Sequence, residues 1–347
     1  MTPPSSSSSR PRLADLGVPS GAFSRGAENA ITDVPGVRVG HATLHGDGLH
    51  TGVTAIVPDA LTAERRSLPA NLSVGNGFGK LVGATQLREL GALETPILLT
   101  STLSVFRVAD ALLGHLLATP AHARTTTLNP VVGETNDGFL SDIRRRAVGE
   151  AQVTEALAAA APGAVAEGGV GAGAGTVALG YKGGIGTASR LVEVAGSAYT
   201  VGALVQTNFS GTLRIAGVPL PAEELLAEVP AQPVGNSCMI VVATDAPVDG
   251  RQLGRVANRA VFAMRGVGAD YAQGSGDYAI AFSVHEERRP VADDDLSPLF
   301  AATMDAVEEA LINSVLAAET TAGPEGRTAH AVPIDRVHER LARAGAV

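Results

Sequence analysis

The sequence predicts a mixed α/β protein in which sheets are covered by helices in layers. Three observations carry this. Strand-like runs such as "TPILLTS" (95–101), "CMIVVAT" (238–244) and "YAIAFSV" (278–284) recur among amphipathic helical stretches, without regular β–α–β alternation. Hydrophobic residues make up 45% of the chain but aromatics only 3%, with no Trp, so the core must be packed from aliphatic side chains. Glycine occurs 41 times, which implies many tight turns and closely approaching layers. A length of 347 residues suits two ordinary domains or one large layered one.

Taken in order, "VRVGHATL" within 30–44 alternates as a strand, and "TGVTAIVPD" (51–59) reads as its partner. Residues 71–91 read as a glycine-rich loop entering a helix. A buried strand at 95–101 and an amphipathic helix at 104–118 follow. Residues 129–148 begin as strand and turn and continue as helix; 154–161 is helical up to Pro162. Residues 168–211 alternate strands with glycine turns, with a hairpin turning near Gly196-Ser197. Four prolines make 217–235 an extended connector. Then come the strand 238–244, a helix over 249–268, the strand 278–284, a polar stretch over 285–295 and a long helix over 296–320.

Composition excludes several function classes. A net charge of −9 and a pI near 5.4 do not provide the cation cluster that nucleic acid requires. The short run Arg144-Arg145-Arg146 reads as a solvated helix face. The single cysteine, Cys238, rules out an intrachain disulfide, and it starts an apolar strand, so it reads as packed rather than reactive. His41, His45 and His50 fall in a loop-like segment without a carboxylate pattern, so no metal is expected. "GYKGGIGTASR" lacks the phosphate-loop spacing and reads as a tight turn near the site. The Pro/Ser-rich start reads as a disordered tail over 1–27, and no apolar run is long enough to span a bilayer. A cytoplasmic protein is expected.

The chemistry concentrates at "VGNSCMIVVAT". As a mid-chain residue, Ser237 lacks an obvious base, and "GNSCM" is not the G-x-S-x-G elbow. As a chain terminus it would carry its own base, because an α-amine with a reference pKa of about 7.7–8.0 is partly neutral near pH 7. Gly235 would let the backbone distort so that the Ser237 hydroxyl attacks the Asn236 carbonyl. Read alone, the tripeptide is a plain turn before a strand.

The tripeptide has company: "DVPGVRVGH", "NPVVGETNDGFLSDI", "GAGTVALGYKGGIGTASR", "VQTNFSG", "GSGDYAIAFS" and "EEALINSVLAAETTAG". In this order, over about residues 28–335, they resemble the DmpA-type self-processing serine aminopeptidases, which include β-peptidyl aminopeptidases. The resemblance implies one αββα sandwich of Ntn-hydrolase type over 28–347, cut between Asn236 and Ser237 into an α chain and a β chain. It implies Ser237 as nucleophile, Ser275 and Asp277 in "GSGD" as the network that orients it, and Asn208 in "QTNFSG" as an oxyanion donor. In "GETNDG", Glu134 is the expected anchor for a substrate ammonium. Asn136, where some relatives have tyrosine, is expected to assist the oxyanion or substrate. No cofactor is implied. The implied partners are a peptide, amide or ester substrate with a free amino terminus and further copies of the chain, commonly in a tetramer of α/β heterodimers. Acyl transfer of the ornithine acetyltransferase kind, hydrolysis of nylon-type oligomers and a non-enzymatic binding role are the alternatives.

Overall fold

The computed structural model describes residues 10–227, 237–286 and 289–347. β1 (Val37–Gly46) and β2 (Leu49–Pro58) form an antiparallel hairpin, and β3 (Leu68–Gly77) leads to α1 (Ala84–Leu90). After the two-residue β4 (Ala92–Leu93) come β5 (Ile97–Ser101), α2 (Val105–Leu117), β6 (Val131–Thr135) and α3 (Glu150–Ala158). Short strands β7 (Val177–Ala178) and β8 (Tyr181–Lys182) precede the long hairpin of β9 (Ile185–Val194) and β10 (Ser197–Asn208). A small hairpin, β11 (Arg214–Ile215) and β12 (Val218–Pro219), is followed by the single turn α4 (Ala222–Leu225). The remainder contains β13 (Ser237–Thr244), α5 (Gly250–Gly266), β14 (Gly276–Ser283), α6 (Ser297–Leu316) and α7 (Ile334–Arg343).

Two sheets stack face to face. One has the order β1-β2-β5-β6; the other has the order β4-β3-β14-β13-β10-β9. β13 explains the layering from its sequence alone. All eight of its residues are buried, as its unbroken apolar run requires of a strand covered on both faces. Its period of two sends Met239, Val241 and Ala243 into the core between the sheets. Cys238, Ile240 and Val242 face the opposite core, shared with α5 and α6. On the far side, α2 and α3 pack Val105, Val108, Leu112 and Val153 against the four-stranded sheet. The order of layers is therefore α, β, β, α, as the resemblance implied.

Local chemistry fixes the elements. α5 starts at Asp249, whose carboxylate accepts the Gln252 N–H at 2.8 Å, which satisfies a donor the helix cannot. α6 lies directly on β9 at Gly186, where a Cβ would stand 2.0 Å from the Ala310 carbonyl oxygen. The β9–β10 turn consists of Ala195 and Gly196, both left-handed, the backbone that a tight two-residue hairpin favours. It falls one residue before the expected Gly196-Ser197.

Several expectations are corrected. Residues 71–77, read as loop, are the last seven residues of β3, because neighbouring strands supply the pairing that Asn and Gly do not favour by themselves. The second half of 129–148 is a short 3-10 turn over Ile143–Arg145, so the three arginines do not form a helix face. His41 lies on β1, and His45 and His50 are partners across the β1–β2 hairpin, not in a loop. Part of the connector is ordered as β12 and α4. Helix α7 had no counterpart in the sequence reading. Residues 10–27, expected in a disordered tail, pack instead: Leu13, Leu16 and Val18 are buried. Arg25, Ser20 and Asn29 bind Glu309, which also forms a fully buried pair with Arg190 at 2.6 Å. Among the described residues, no helix is long and apolar enough to cross a membrane.

Candidate active site

The expected site residues meet where strands of both sheets end. β13 begins at Ser237, so its register sets the centre. Ser237 pairs with Asn208 at the end of β10 and with Gly276 at the start of the parallel β14; Gly276 in turn pairs with Gly77 at the end of β3. Asn208, Ser237, Gly276 and Gly77 thus form one row across four strands. By the alternation of β13, the Ser237 side chain shares the face of Met239 and points between the sheets. Asn236 and the junction before Ser237 lie outside the described residues.

Asn208 is almost wholly buried and held at both ends of its amide. Its Oδ1 accepts the Val177 N–H at 3.0 Å, and its Nδ2 donates to the Asn136 carbonyl at 2.9 Å. Among the described residues, one of the two Nδ2 hydrogens is left for another acceptor. Asn136 itself is exposed; its Oδ1 accepts the Gly138 N–H at 2.9 Å, and it is its main-chain carbonyl that meets Asn208. Two residues before Asn208 on β10, Gln206 ties the sheets together by donating to Thr135 Oγ1 at 2.8 Å, and it also donates to the Ala172 carbonyl at 2.9 Å.

Ser275 and Asp277 flank Gly276. The buried Ser275 hydroxyl donates to Asp277 Oδ1 at 2.7 Å, while Asp277 Oδ2 is buried without a hydrogen-bond partner among the described residues. Burial above all, aided by the charge of Asp270, pushes the Asp277 carboxyl up to about 6, against the Ser275 hydrogen bond. Asp277 pairs with Cys238 and shares its face, on the α5 side of the sheet. Cys238 is fully buried, and burial pushes its thiol well up, which is the state of an inert packed cysteine.

Glu134 comes from β6 in the other sheet and is 2% exposed. Its Oε1 accepts the Lys80 N–H at 2.9 Å and its Oε2 accepts the Thr102 hydroxyl. Gly79 makes this approach possible. A Cβ there would lie 2.9 Å from the Tyr278 ring and 3.2 Å from the Gly276 Cα. Any side chain at 79 would separate Glu134 from the Ser237 row.

Sequence reasoning missed Lys80, Thr102, the Val177 N–H and Gln206; "TSTLS" and "NGFGK" contain no signal for their roles. It also read "GYKGG" only as a turn. Lys182 in it is fully buried, and its Nζ donates to the Gly173 and Gly183 carbonyls at 3.0 and 2.7 Å. It faces buried Asp137: desolvation pushes the carboxyl up and the ammonium down, and the charge of each opposes the shift of the other. Among the described residues, no group of three or more His, Cys, Asp or Glu side chains is placed to hold a metal.

The family model for peptidase family S58 matches residues 29–329, which is most of the chain. The chain belongs to peptidase family S58. The S58 chain is 39% identical to the β-peptidyl aminopeptidase BapA of Sphingosinicella microcystinivorans over 360 residues, covering 93% of this chain and 90% of that protein. A β-aminopeptidase of Burkholderia sp. superposes with a TM-score of 0.88 at 39% identity, over 96% of this chain and 99% of that one. The L-aminopeptidase D-Ala-esterase/amidase of Ochrobactrum anthropi is a prototype of the serine aminopeptidases with a variant of the Ntn-hydrolase fold. It matches at 33% identity and a TM-score of 0.88, over 97% of this chain and 99% of that one. This S58 chain is a self-processing serine aminopeptidase of the N-terminal nucleophile type, and these relatives do not favour the acyl-transfer alternative.

Proposed function

We propose that Ser237 is both the processing nucleophile and the catalytic one, with Asn208, Ser275, Asp277, Asn136 and Glu134 in supporting roles. The observation that carries this is the row Asn208–Ser237–Gly276 with the Ser275–Asp277 bond beside it and Glu134 approaching from the other sheet. In processing, the Ser237 hydroxyl attacks the Asn236 carbonyl carbon. The C–N bond breaks as the C–O bond forms and the hydroxyl proton passes to the departing nitrogen, which frees the Ser237 amine; water then hydrolyses the ester, which frees the hydroxyl and leaves Asn236 with a carboxylate. In turnover that amine takes the hydroxyl proton while Oγ attacks the substrate carbonyl. The remaining Asn208 Nδ2 hydrogen meets the oxyanion. The ammonium then protonates the leaving amine, and water releases the acyl group. Ser275, fixed by Asp277, orients the amine, and Asn136 fixes Asn208 through its carbonyl.

Glu134 holds the free ammonium of the substrate, which restricts the reaction to amino-terminal residues. Substrates with an amino-terminal β-residue are included in this reading because of the identity to BapA. The reading also carries the cytoplasmic location and the oligomer of α/β heterodimers expected from the sequence. The experiment compares a free-amine aminoacyl p-nitroanilide with its N-acetyl form. Loss of one charge-assisted contact slows the blocked compound by roughly ten- to a hundred-fold. Glu134→Gln should slow the free-amine substrate alone. Equal rates on blocked and free substrates would reject the amino-terminal reading.

A further inference from the structure

We infer that Lys80 is a built-in competitor for the ammonium-binding carboxylate: a substrate amine reaches Glu134 by displacing a lysine of the enzyme itself. The inference rests on the reading of Glu134 as the amine anchor. A carboxylate this buried needs compensation when no substrate is present. Among the described residues, Glu134 has three sources of it: the Lys80 N–H, the Thr102 hydroxyl and the Lys80 ammonium. The first two are direct hydrogen bonds from tightly placed groups. The third differs from them. Lys80 Nζ stands 3.7 Å from Oε1, beyond direct hydrogen-bond distance, on a side chain that is 44% exposed.

Lys80 therefore plays two separable parts. Its main-chain N–H is a fixed donor that any residue but proline would supply at position 80. Its ammonium is a loosely held charge with open water beside it, and a half-exposed ion pair of this kind is weak. It supplies a countercharge to the empty site and leaves at small cost. An incoming substrate ammonium can bind Glu134 at hydrogen-bond distance, and short charge-assisted contacts are the stronger kind. The two cations cannot share the anchor without repulsion, so Lys80 must swing out. A substrate with a blocked amine has nothing with which to displace it. In this way the lysine raises the KM for every free-amine substrate and leaves the chemistry at Ser237 untouched.

The test is steady-state kinetics of Lys80→Met, Lys80→Gln and Lys80→Arg on a free-amine aminoacyl p-nitroanilide, below the pKa of the substrate amine. Intact mass confirms normal processing of each variant. Lys80→Met and Lys80→Gln are expected to lower KM about two- to five-fold without a matching loss in kcat, the weight of one exposed ion pair. Lys80→Arg keeps the charge and should retain the wild-type KM. In a Glu134→Gln background, Lys80→Met should have no effect on KM. An unchanged or raised KM in Lys80→Met and Lys80→Gln, while Glu134→Gln alone raises KM, overturns the competitor and leaves the anchor standing. If Glu134→Gln alone leaves KM unchanged, the anchor reading falls, and the competitor with it.

Discussion

Replacing Asn208 with alanine tests the geometry most closely, because this one side chain has three partners with separable consequences. Its free Nδ2 hydrogen is the proposed oxyanion donor. Losing such a donor costs about 10²–10³ in kcat, or about 3–4 kcal/mol of transition-state stabilisation, with a much smaller change in KM. The other two partners concern stability. The Val177 N–H at 3.0 Å and the Asn136 carbonyl at 2.9 Å would both lose their bond to residue 208. A buried polar group left without a partner costs about 1–3 kcal/mol, so Asn208→Ala should lose about 2–4 kcal/mol on unfolding in denaturant. Asn208→Asp separates the two effects. Its carboxylate still accepts from Val177 but cannot donate to the oxyanion or to Asn136, so kcat should fall at least as far. The assay is kcat and KM on the fully processed fraction of each variant, with a denaturant melt alongside. A normal kcat with a raised KM would refute the oxyanion role and move Asn208 to substrate binding. A normal kcat with only lowered stability would make it a structural clamp.

Three further predictions concern the network and its titration. Ser275→Ala and Asp277→Ala should each lower kcat by roughly 10²–10⁴, the range of positioned acid–base groups, and near-normal activity in both would mean that "GSGD" is only a loop. Burial holds the Asp277 carboxyl up at about 6, above its ordinary value, so its charged form appears only as pH rises through that point. Turnover by the processed enzyme, whose amine this network orients, should therefore rise through about pH 6, and Asp277→Asn should flatten that part of the profile; a flat wild-type profile would contradict this. His41 is half-buried, with Nδ1 2.9 Å from Thr54 Oγ1, and desolvation pushes it down to about 4 from 6.5. The folded state resists protonation there, so its stability is complete above 6.5 and falls by about 3 kcal/mol as pH drops through 4. His41→Gln should remove that part of the acid sensitivity in urea melts.

What was legible in the sequence followed from periodicity and from motif order. "CMIVVAT" reads as a buried strand because its run from Cys238 to Ala243 is unbroken by a polar residue, and α5 and α6 read as helices because their apolar residues recur at helical spacing. The row around Ser237 was legible only in part. Strand pairing is not written in local sequence, so the opposition of Asn208 and Ser237 became visible only with the register. Thr102 and Lys80 lie 32 and 54 positions from Glu134 and carry no pattern that points to it. β3 was obscured by its own Asn and Gly, which hold a strand there through their neighbours. Residues 10–27 read as a tail from the Pro/Ser-rich start of the chain, yet Arg10, Ser20 and Arg25 find partners in a helix end and the buried Glu309. Lys182 illustrates the same limit: a lysine among glycines suggests an exposed turn, whereas here the carbonyls that bind it are supplied by the fold.

The central claim is that this chain makes its own nucleophile at Ser237, and an intact mass of the purified protein under denaturing conditions tests it most directly. The account predicts two polypeptides, of 236 and 347 − 236 = 111 residues, the shorter beginning at Ser237, and one uncut, inactive chain for Ser237→Ala. A wild-type protein that stays a single chain of 347 residues after long incubation, or one cut so that Cys238 becomes the new terminus, would contradict it.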